Sequence, residues 1–202
     1  MAPTTPTASK WLKESKIKKT GILGAESGCG TTLLALALAN CSVSRLRRKT
    51  ALIEIGKNDL CQMTGEDFEY QEGLYHFSVL GIEIFSSATL KDIDQIYHKQ
   101  FDEIIIDFGH SNTVSHEFSC CDKKIITASF LPYRYKNLNL FIGDTCDDLQ
   151  ISRADVVVYG KNKLSIQWEK RNHKSIFYMP TIYDPLYIPL KDSNQLIKLL
   201  RN

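Results

Sequence analysis

Small and hydroxyl-bearing residues cluster in one short segment of this 202-residue chain, directly ahead of an Ala/Leu-rich stretch. The segment consists of Ser27, Gly28, Cys29, Gly30, Thr31 and Thr32. It follows a short apolar run, so a strand would enter this loop and a helix would leave it at once. Such a loop aims unpaired backbone N–H groups and the positive end of the helix dipole at one point. We therefore predict that these six residues bind a phosphate group.

The elements that must position this loop alternate along the chain. We predict strands at residues 20–23, 50–55, 82–85, 103–107, 124–128, 155–159 and 175–179. We predict helices at residues 31–46, 90–100, 114–120, 135–148, 163–171 and 192–200. This alternation specifies an α/β domain with a mainly parallel sheet between two layers of helices. The run 104–106 is apolar throughout, which is typical of a central strand covered on both faces.

The chain divides into a leader and one domain. Residues 1–16 are rich in Pro, Thr, Ser and Lys, which predicts a flexible leader. Residues 17–202 have the length of a single globular domain, and no composition change marks a second one. The segment 65–81 is aromatic-rich, and we interpret it as an irregular excursion between two strands.

Composition disfavours two classes of partner. The chain is 43% hydrophobic and 24% charged, as in soluble globular proteins, and no apolar run approaches the ~20 residues of a membrane span. The first residues lack the apolar core of a signal peptide, so we expect a cytoplasmic protein. The net charge is only +2, and the basic clusters at 10–19 and 45–49 have no aromatic residues interleaved for base stacking. A nucleic-acid partner is therefore disfavoured.

Four segments resemble the ParA/MinD family of deviant-Walker ATPases. The family's loop reads K-G-G-x-G-K-[ST]-T, and residues 26–32 (ESGCGTT) stand at its first seven positions. Residues 50–56 are similar to a family strand that ends in D-x-D, and residues 101–109 are similar to its Walker B strand. Residues 177–185 look like its closing strand and loop. The resemblance implies a three-layer P-loop NTPase fold, a nucleotide ligand and a homodimer.

The departures from the family pattern concern the charged residues. Thr31 stands at the position of the Walker lysine, and Glu26 at that of the signature lysine, which reaches the nucleotide across the family's dimer. The D-x-D carboxylates correspond to Glu54 and Gly56. Phosphoryl transfer depends on positioning and charge stabilisation, and losing one electrostatic contact typically costs about 10²–10³ in rate. We therefore expect little or no ATP hydrolysis and assign no catalytic residue.

Nucleotide binding is a separate expectation. The resemblance implies that the Thr32 hydroxyl would coordinate Mg²⁺ and that the Walker B carboxylate of Asp107 would hold the second shell of ligands around the ion. ATP or ADP with Mg²⁺ is the predicted ligand, bound weakly. In the alternative, the loop no longer binds nucleotide because Glu26 repels phosphate. Atypical Walker motifs also occur in the CpaE/TadZ-like pilus-assembly proteins, which this chain resembles more than it resembles a DNA-segregating ParA.

The leading interpretation is a nucleotide-responsive pseudo-ATPase scaffold. It would form a homodimer through the loop face and position a protein partner, with pilus or secretion machinery as the expected context. One alternative is a slow ATPase that recruits a substitute cation, such as Lys57 or a partner's Lys or Arg. Another is a DNA- or membrane-associated positioning protein that uses the basic clusters. A membrane surface is disfavoured because the helix at 192–200 is short and only modestly basic.

Two smaller hypotheses concern residues near the motifs. His110, Ser111, His116 and Glu117 follow the Walker B segment and could form a metal or hydrolytic site, but a polar loop is the favoured interpretation. Cys29 could have a redox role, because a helix N-terminus favours a thiolate. A small residue that fills the variable loop position is the favoured interpretation. The six cysteines lack zinc-site spacing, so we expect ordinary thiols.

Overall fold

A computed structural model of the protein describes residues 17–111, 113–134, 138–141 and 153–201. The predicted leader at 1–16 and most of the predicted helix at 135–148 lie outside these residues. The described strands are β1 (Lys18–Gly24), β2 (Thr50–Ile55), β3 (Glu69–Gln71), β4 (Leu74–Val79), β5 (Ile82–Ala88), β6 (Glu103–His110), β7 (Lys123–Ala128), β8 (Asp155–Tyr159) and β9 (Ile176–Met179). The helices are α1 (Thr31–Leu46), α2 (Asp59–Thr64), α3 (Asp92–Tyr97), α4 (His116–Ser119), α5 (Lys163–Asn172) and α6 (Leu190–Arg201).

All nine strands join one sheet in the order β3-β4-β5-β2-β6-β1-β7-β8-β9. Every neighbouring pair from β5 to β9 is parallel. The chain leaves β1 towards β2 on one side and leaves β6 towards β7 on the other, so the sheet has a topological switch point between β1 and β6. Ligands of open α/β sheets bind at the carboxyl ends of strands at such a point. The predicted loop at 27–32 and Asp107 both lie there.

The core covers both faces of the sheet. Ile105 belongs to the apolar cluster that includes α1 and α6, whereas Ile104 and Ile106 belong to the cluster that includes α3 on the opposite face. Trp168 of α5 and Phe118 of α4 are buried in a third cluster against β7 and β8. This arrangement confirms the predicted three-layer α/β/α fold and the central position of the apolar strand.

The C-terminal helix α6 packs against the domain. Leu196, Leu199 and Leu200 are buried, and together with Ile197 they join the apolar cluster of α1. The Nζ of Lys18 in β1 donates a hydrogen bond to the carbonyl of Leu200 and so fixes the end of the helix. The prediction that this segment packs on the domain is confirmed. Among the described residues, no helix is long and apolar enough to cross a bilayer.

The interpretation of residues 65–81 as irregular was wrong. This segment contains β3 and β4, which pair antiparallel with each other and with β5 at one edge of the sheet. Two-residue turns make both connections: Glu72 and Gly73 have φ of 54° and 83°, and Leu80 and Gly81 have φ of 51° and 81°. Positive φ at both central residues is typical of the tight hairpin turn that matches strand twist. The first residue of each turn, Glu72 or Leu80, is not a residue type that predicts a tight hairpin turn, so the sequence did not reveal the two hairpins.

The helix predictions need three further corrections. The helix predicted at 90–100 is shorter, Asp92–Tyr97, and the one predicted at 114–120 is His116–Ser119. Helix α2 was not predicted at all. It begins at Asp59, where the buried carboxylate of Glu54 accepts a hydrogen bond from the N–H of Leu60 at 3.2 Å. A cap supplied by the preceding strand, six residues earlier, is not one of the usual N-cap patterns of a helix start.

The amino end of the sheet holds a buried polar network around Glu103. Its carboxylate accepts hydrogen bonds from Ser42 at 2.9 Å and from Arg48 at 2.5 Å, and Thr50 bonds to Ser42. Arg48 therefore fixes the C-terminal end of α1 to β6. One member of the basic cluster at 45–49 therefore serves the fold, whereas Arg45, Arg47 and Lys49 are exposed.

Candidate functional site

The loop between β1 and α1 has the backbone of an anion-binding turn. Gly28 and Gly30 have φ of 72° and 85°, which favours glycine at both positions. Gly30 is the N-cap of α1, and because it has no side chain it leaves the first N–H groups of the helix for another acceptor. The helix that follows has sixteen residues, so its dipole adds positive potential at the same place.

Tyr159 explains why residue 30 is a glycine. Its ring lies so close that a Cβ on Gly30 would be 2.2 Å from the ring carbon Cε2. Its hydroxyl donates a hydrogen bond to the carbonyl of Gly30 at 3.1 Å. Tyr159 ends β8, 129 residues away in the chain, and it holds the loop against the neighbouring strand. Sequence reasoning missed this contact because nothing in the local pattern of β8 points to the loop.

The two predicted metal residues lie together. The hydroxyl of Thr32 donates a hydrogen bond to Oδ2 of Asp107 at 2.6 Å, and the N–H of Gly109 donates to Oδ1 at 2.8 Å. Asp107 is fully buried at the carboxyl end of β6. Burial raises the pKa of its carboxyl group, while the bonds from Thr32 and Gly109 and the charge of Lys57 oppose the rise. A divalent cation beside Thr32 would oppose it further.

Thr31 points away from the predicted phosphate site. Its hydroxyl lies 2.9 Å from that of Thr127 and 3.5 Å from the thiol of Cys29, which is itself 3.0 Å from Thr127. Thr31 and Cys29 are both buried beneath the loop. Only the backbone of Thr31 is left to face a ligand, and the side chain at the Walker lysine position brings no charge. The burial of Cys29 favours its interpretation as a residue that fills the loop.

Two cavities meet at the loop. The first, about 360 Å³, is lined by its polar residues together with Lys57, Asp59 and His110. The second, about 510 Å³, is lined by the glycines of the loop with Leu131, Tyr133, Arg134 and Tyr159. Gly28 and Gly30 border both cavities. The volumes are in the range of small-molecule sites. A ligand with an anionic part and an apolar part could occupy the two together.

Charged residues that sequence reasoning did not assign surround the loop. The Nη1 of Arg134 donates a hydrogen bond to the carbonyl of Ser27 at 3.1 Å and lies 3.9 Å from Oε1 of Glu26. Asp59 and Lys57 line the polar cavity, and the Nζ of Lys57 lies 3.9 Å from the carboxylate of Asp59. Lys57 had been named as a substitute cation, and it does line the polar cavity. Arg134 and Asp59 had not been named.

Glu54 has a structural role. Its carboxylate is fully buried, where it accepts a hydrogen bond from Ser86 at 2.7 Å and bonds from the N–H of Leu60. Burial raises the pKa of Glu54 to about 7, and the nearby charge of Asp107 adds to the rise. Glu54 positions α2, and through it Asp59 at the edge of the polar cavity.

The histidines behind Walker B do not form a metal centre. His110 lines the polar cavity, whereas the Nε2 of His116 lies 3.3 Å from the thiol of Cys120 on α4. Within the described ranges, no group of three or more His, Cys, Asp or Glu side chains could hold a metal ion.

Comparison with solved structures supports the fold, whereas comparison of sequences finds no match. No protein-family model matches the chain, and no curated protein matches it in sequence. The cell division protein MinD of Aquifex aeolicus superposes with a TM-score of 0.67 at 15% identity, over 91% of this chain and 95% of that one. Its complex with MinC gives a TM-score of 0.66 at 14% identity, over 91% and 94%.

The chain has the fold of MinD. Two further structures with this fold hold nucleotides. A plasmid partition protein of Borrelia burgdorferi bound to AMPPNP has a TM-score of 0.61 at 15% identity, over 92% of this chain and 99% of that one. MinD of Pyrococcus horikoshii complexed with Mg-ADP also has a TM-score of 0.61, at 13% identity, over 91% and 94%. The MinD-like fold is that of P-loop NTPases, which agrees with the predicted fold class.

Proposed function

We propose that this chain is a degenerate member of the ParA/MinD family that binds Mg·ATP or Mg·ADP at residues 27–32 and acts as a positioning scaffold. The observation that carries the proposal is the 2.6 Å hydrogen bond from Thr32 to the buried Asp107. It brings the hydroxyl at the start of α1 to the carboxylate at the end of β6, at the switch point of the sheet. The backbone of Gly28 and Gly30 has the conformation that an anion requires there.

Mg²⁺ fits the residues at this point. Thr32 would be a direct oxygen ligand, and Asp107 would accept hydrogen bonds from waters of the ion. When bound, the ion would neutralise phosphate charge. Asp107 is buried beside a hydroxyl, where a cation would offset the free-energy cost of its desolvated charge. The nucleotides held by two proteins of the same fold support ATP or ADP as the ligand.

The lost charges support binding without efficient turnover. The side chain of Thr31 is buried under the loop, and Glu26 brings negative charge to the place of a family lysine. Catalysis of phosphoryl transfer requires charge stabilisation in the transition state beyond that of the bound substrate. We therefore expect a scaffold whose shape responds to bound nucleotide and whose hydrolysis is slow or absent.

The last part of the proposal concerns the cellular role. A homodimer formed through the loop face would present a composite surface to a protein partner, and a pilus or secretion system in the cytoplasm is the expected setting. The complex of MinD with MinC supports a protein partner for this fold. The resemblance of the loop to CpaE/TadZ-like proteins supports the pilus setting.

Thermal unfolding with added nucleotide tests this function. Mg·ATP, Mg·ADP and a non-hydrolysable analogue should each raise the melting temperature of the wild-type protein, because a ligand that binds the native state stabilises it. Thr32→Ala should lose the part of the shift that requires Mg²⁺. Phosphate release by the wild type should equal that of Thr32→Ala. Absence of any shift would refute nucleotide binding, and Mg-dependent release above the control would refute the pseudo-ATPase.

A slow ATPase is the second candidate, and one observation favours it. Lys57 and Asp59 line the same cavity as Thr32, so a cation and a carboxylate stand near the places that Thr31 and Gly56 leave without charge. This candidate predicts phosphate release that Lys57→Ala or Asp59→Ala abolishes. Equal release by the wild type and both variants would exclude it.

A further inference from the structure

Arg134 lies on the loop although it is 107 residues from Ser27 in the chain. Its guanidinium Nη1 donates to the carbonyl of Ser27 at 3.1 Å and is 3.6 Å from the place where a Cβ on Gly28 would stand. A turn that follows β7, closed by the bond from the N–H of Arg134 to the carbonyl of Leu131 at 2.8 Å, holds its backbone. The residue is therefore a fixed neighbour of the loop.

The charge beside Arg134 is that of Glu26, at 3.9 Å. This distance is an ion pair without a direct hydrogen bond, so the guanidinium keeps N–H donors for another acceptor. The side chain of Arg134 is 31% exposed, and it stands over the ring of Tyr133 at 5.7 Å. Its planar group thus faces the larger cavity beside the loop while remaining tied to Ser27.

We propose that Arg134 supplies, from within the same chain, the positive charge with which residues 26–32 hold the phosphates of a nucleotide, and that Glu26 keeps it over the loop until they arrive. This inference rests on the proposed function. Guanidinium binds phosphate through paired, charge-assisted hydrogen bonds, so phosphate competes well for a group held by one hydrogen bond to a carbonyl and one ion pair without a direct hydrogen bond. Glu26 then serves to place the cation, and its charge is balanced before any ligand binds.

A cation within the chain has a consequence for assembly. A lysine that reaches across a dimer would make phosphate binding depend on a second copy of the chain. Arg134 contacts the loop of its own chain. Nucleotide affinity should therefore be independent of protein concentration across the range in which the protein changes from monomer to any dimer.

Titration calorimetry with Mg·ADP tests the role of Arg134 without any need for turnover. Arg134→Gln should weaken binding about tenfold to a hundredfold, the range for loss of a charged hydrogen bond. Arg134→Lys should recover part of the loss, because lysine keeps the charge but not the paired donors. Arg171→Gln, on the exposed end of α5, is the matched control and should bind like the wild type. Lys57→Gln tests whether Lys57, rather than Arg134, supplies the positive charge.

The Glu26→Gln variant provides a second test of the same pair. It should bind Mg·ADP more tightly than the wild type, and most of the gain should vanish in the double variant with Arg134→Gln, since the two residues are coupled. Each variant is first shown to unfold cooperatively near the wild-type midpoint.

The outcomes separate this inference from the function on which it rests. If the wild type does not bind Mg·ADP, both are overturned. If the wild type binds and Arg134→Gln binds equally well, the inference alone is overturned. The same holds if only Lys57→Gln weakens binding, or if wild-type affinity rises with protein concentration while Arg134→Gln has no effect.

Discussion

Strand β6 carries two buried carboxylates, one at its amino end and one towards its carboxyl end, and among the described residues only the first has a salt-bridge partner. Glu103 at the amino end bonds to Arg48 and Ser42 and lies 3.4 Å from the hydroxyl of Thr20. Asp107 at the carboxyl end accepts from Thr32 and Gly109, and none of the basic side chains in the described ranges forms a salt bridge with it. A polar cavity lies beside Thr32 at this end.

This difference gives the two carboxylates different expected roles. Both side chains are fully buried, so burial alone does not distinguish them. What distinguishes them is whether a basic side chain of the described residues forms a salt bridge with the carboxylate. Glu103 fixes the end of α1 to the sheet through Arg48, whereas we propose that Asp107 serves a cation that comes with a ligand. Substitution of Glu103 should therefore lower the stability of the fold, whereas substitution of Asp107 should change ligand binding.

The largest effect is expected at the amino end. Glu103→Ala removes the anion to which Arg48 and Ser42 bond, and loss of one partner of a buried ion pair typically costs 3–5 kcal/mol, here about 3 because Arg48 is partly exposed. Urea unfolding measures this change in the free energy of unfolding. Glu83→Ala, at a half-exposed carboxylate with a 3.9 Å contact to His76, is the control and should cost about 0.5 kcal/mol or less. Equal costs would remove the contrast.

The loop itself gives the next largest effect. Gly30→Ala places a methyl group 2.2 Å from the ring of Tyr159 at a φ of 85°, so we expect a loss of about 2–3 kcal/mol from overpacking and backbone strain together. Gly56→Ala has a similar φ of 65° with nothing within 4 Å of the added carbon, and it should cost only about 1 kcal/mol. Denaturant midpoints measure both. A Gly30 variant no worse than the Gly56 variant would show that Tyr159 does not hold the loop.

Glu54 should make stability depend on pH. Its pKa in the folded protein is about 7 and its ordinary value is 4.5, so the folded state keeps a proton that the unfolded chain has lost between these values. The free energy of unfolding should therefore fall as pH rises from about 4.5 to about 7, by up to about 3 kcal/mol.

Glu54→Gln isolates this contribution. The variant should match the wild type near pH 4.5 and exceed its stability above pH 7, because glutamine imitates the protonated acid. Unfolding free energies of both proteins at a series of pH values give the difference. Parallel curves would show that Glu54 titrates in the same range in the folded and unfolded states.

The smallest effect on stability is expected at Asp107. Asp107→Asn keeps an oxygen that accepts from the N–H of Gly109, places an amide NH2 beside the Thr32 hydroxyl, which can turn to accept from it, and removes a buried charge, so the free energy of unfolding should stay constant or rise by about 1 kcal/mol. The same variant should lose the Mg²⁺ dependence of nucleotide binding in a thermal-shift titration. A destabilisation as large as that of Glu103→Ala would place Asp107 among the structural carboxylates.

The sequence predicted what depends on local pattern. The bounds of α1, β2 and β8 were predicted as they are, because each is a continuous apolar or Ala/Leu-rich run between polar breaks. The pairing of Thr32 with Asp107 was implied by the resemblance to the ParA/MinD family, and the structure places the two side chains in contact. The phosphate-binding role of residues 27–32 stays a prediction.

Most of what was missed depends on contacts between different elements. Arg134 and Tyr159 reach the loop from over one hundred residues away, and the N–H of Leu60 at the start of α2 bonds to Glu54 of the preceding strand, six residues earlier. The hairpin of β3 and β4 was missed for a local reason. Its Glu72 takes a left-handed conformation that favours asparagine, aspartate or glycine, so the turn lacks the usual residue at its first position.

Amide chemical shifts of the labelled protein, recorded during a titration with Mg·ADP, test the central claim most directly. We predict that the N–H signals of residues 26–32 and of Gly109 shift with saturation, while those of Ser42, Arg48 and Glu103 stay unchanged. Such a map would place the ligand at the end of β6 where the carboxylate lacks a cation. Unmoved loop signals at high ligand concentration, or shifts centred on Glu103, would contradict the account.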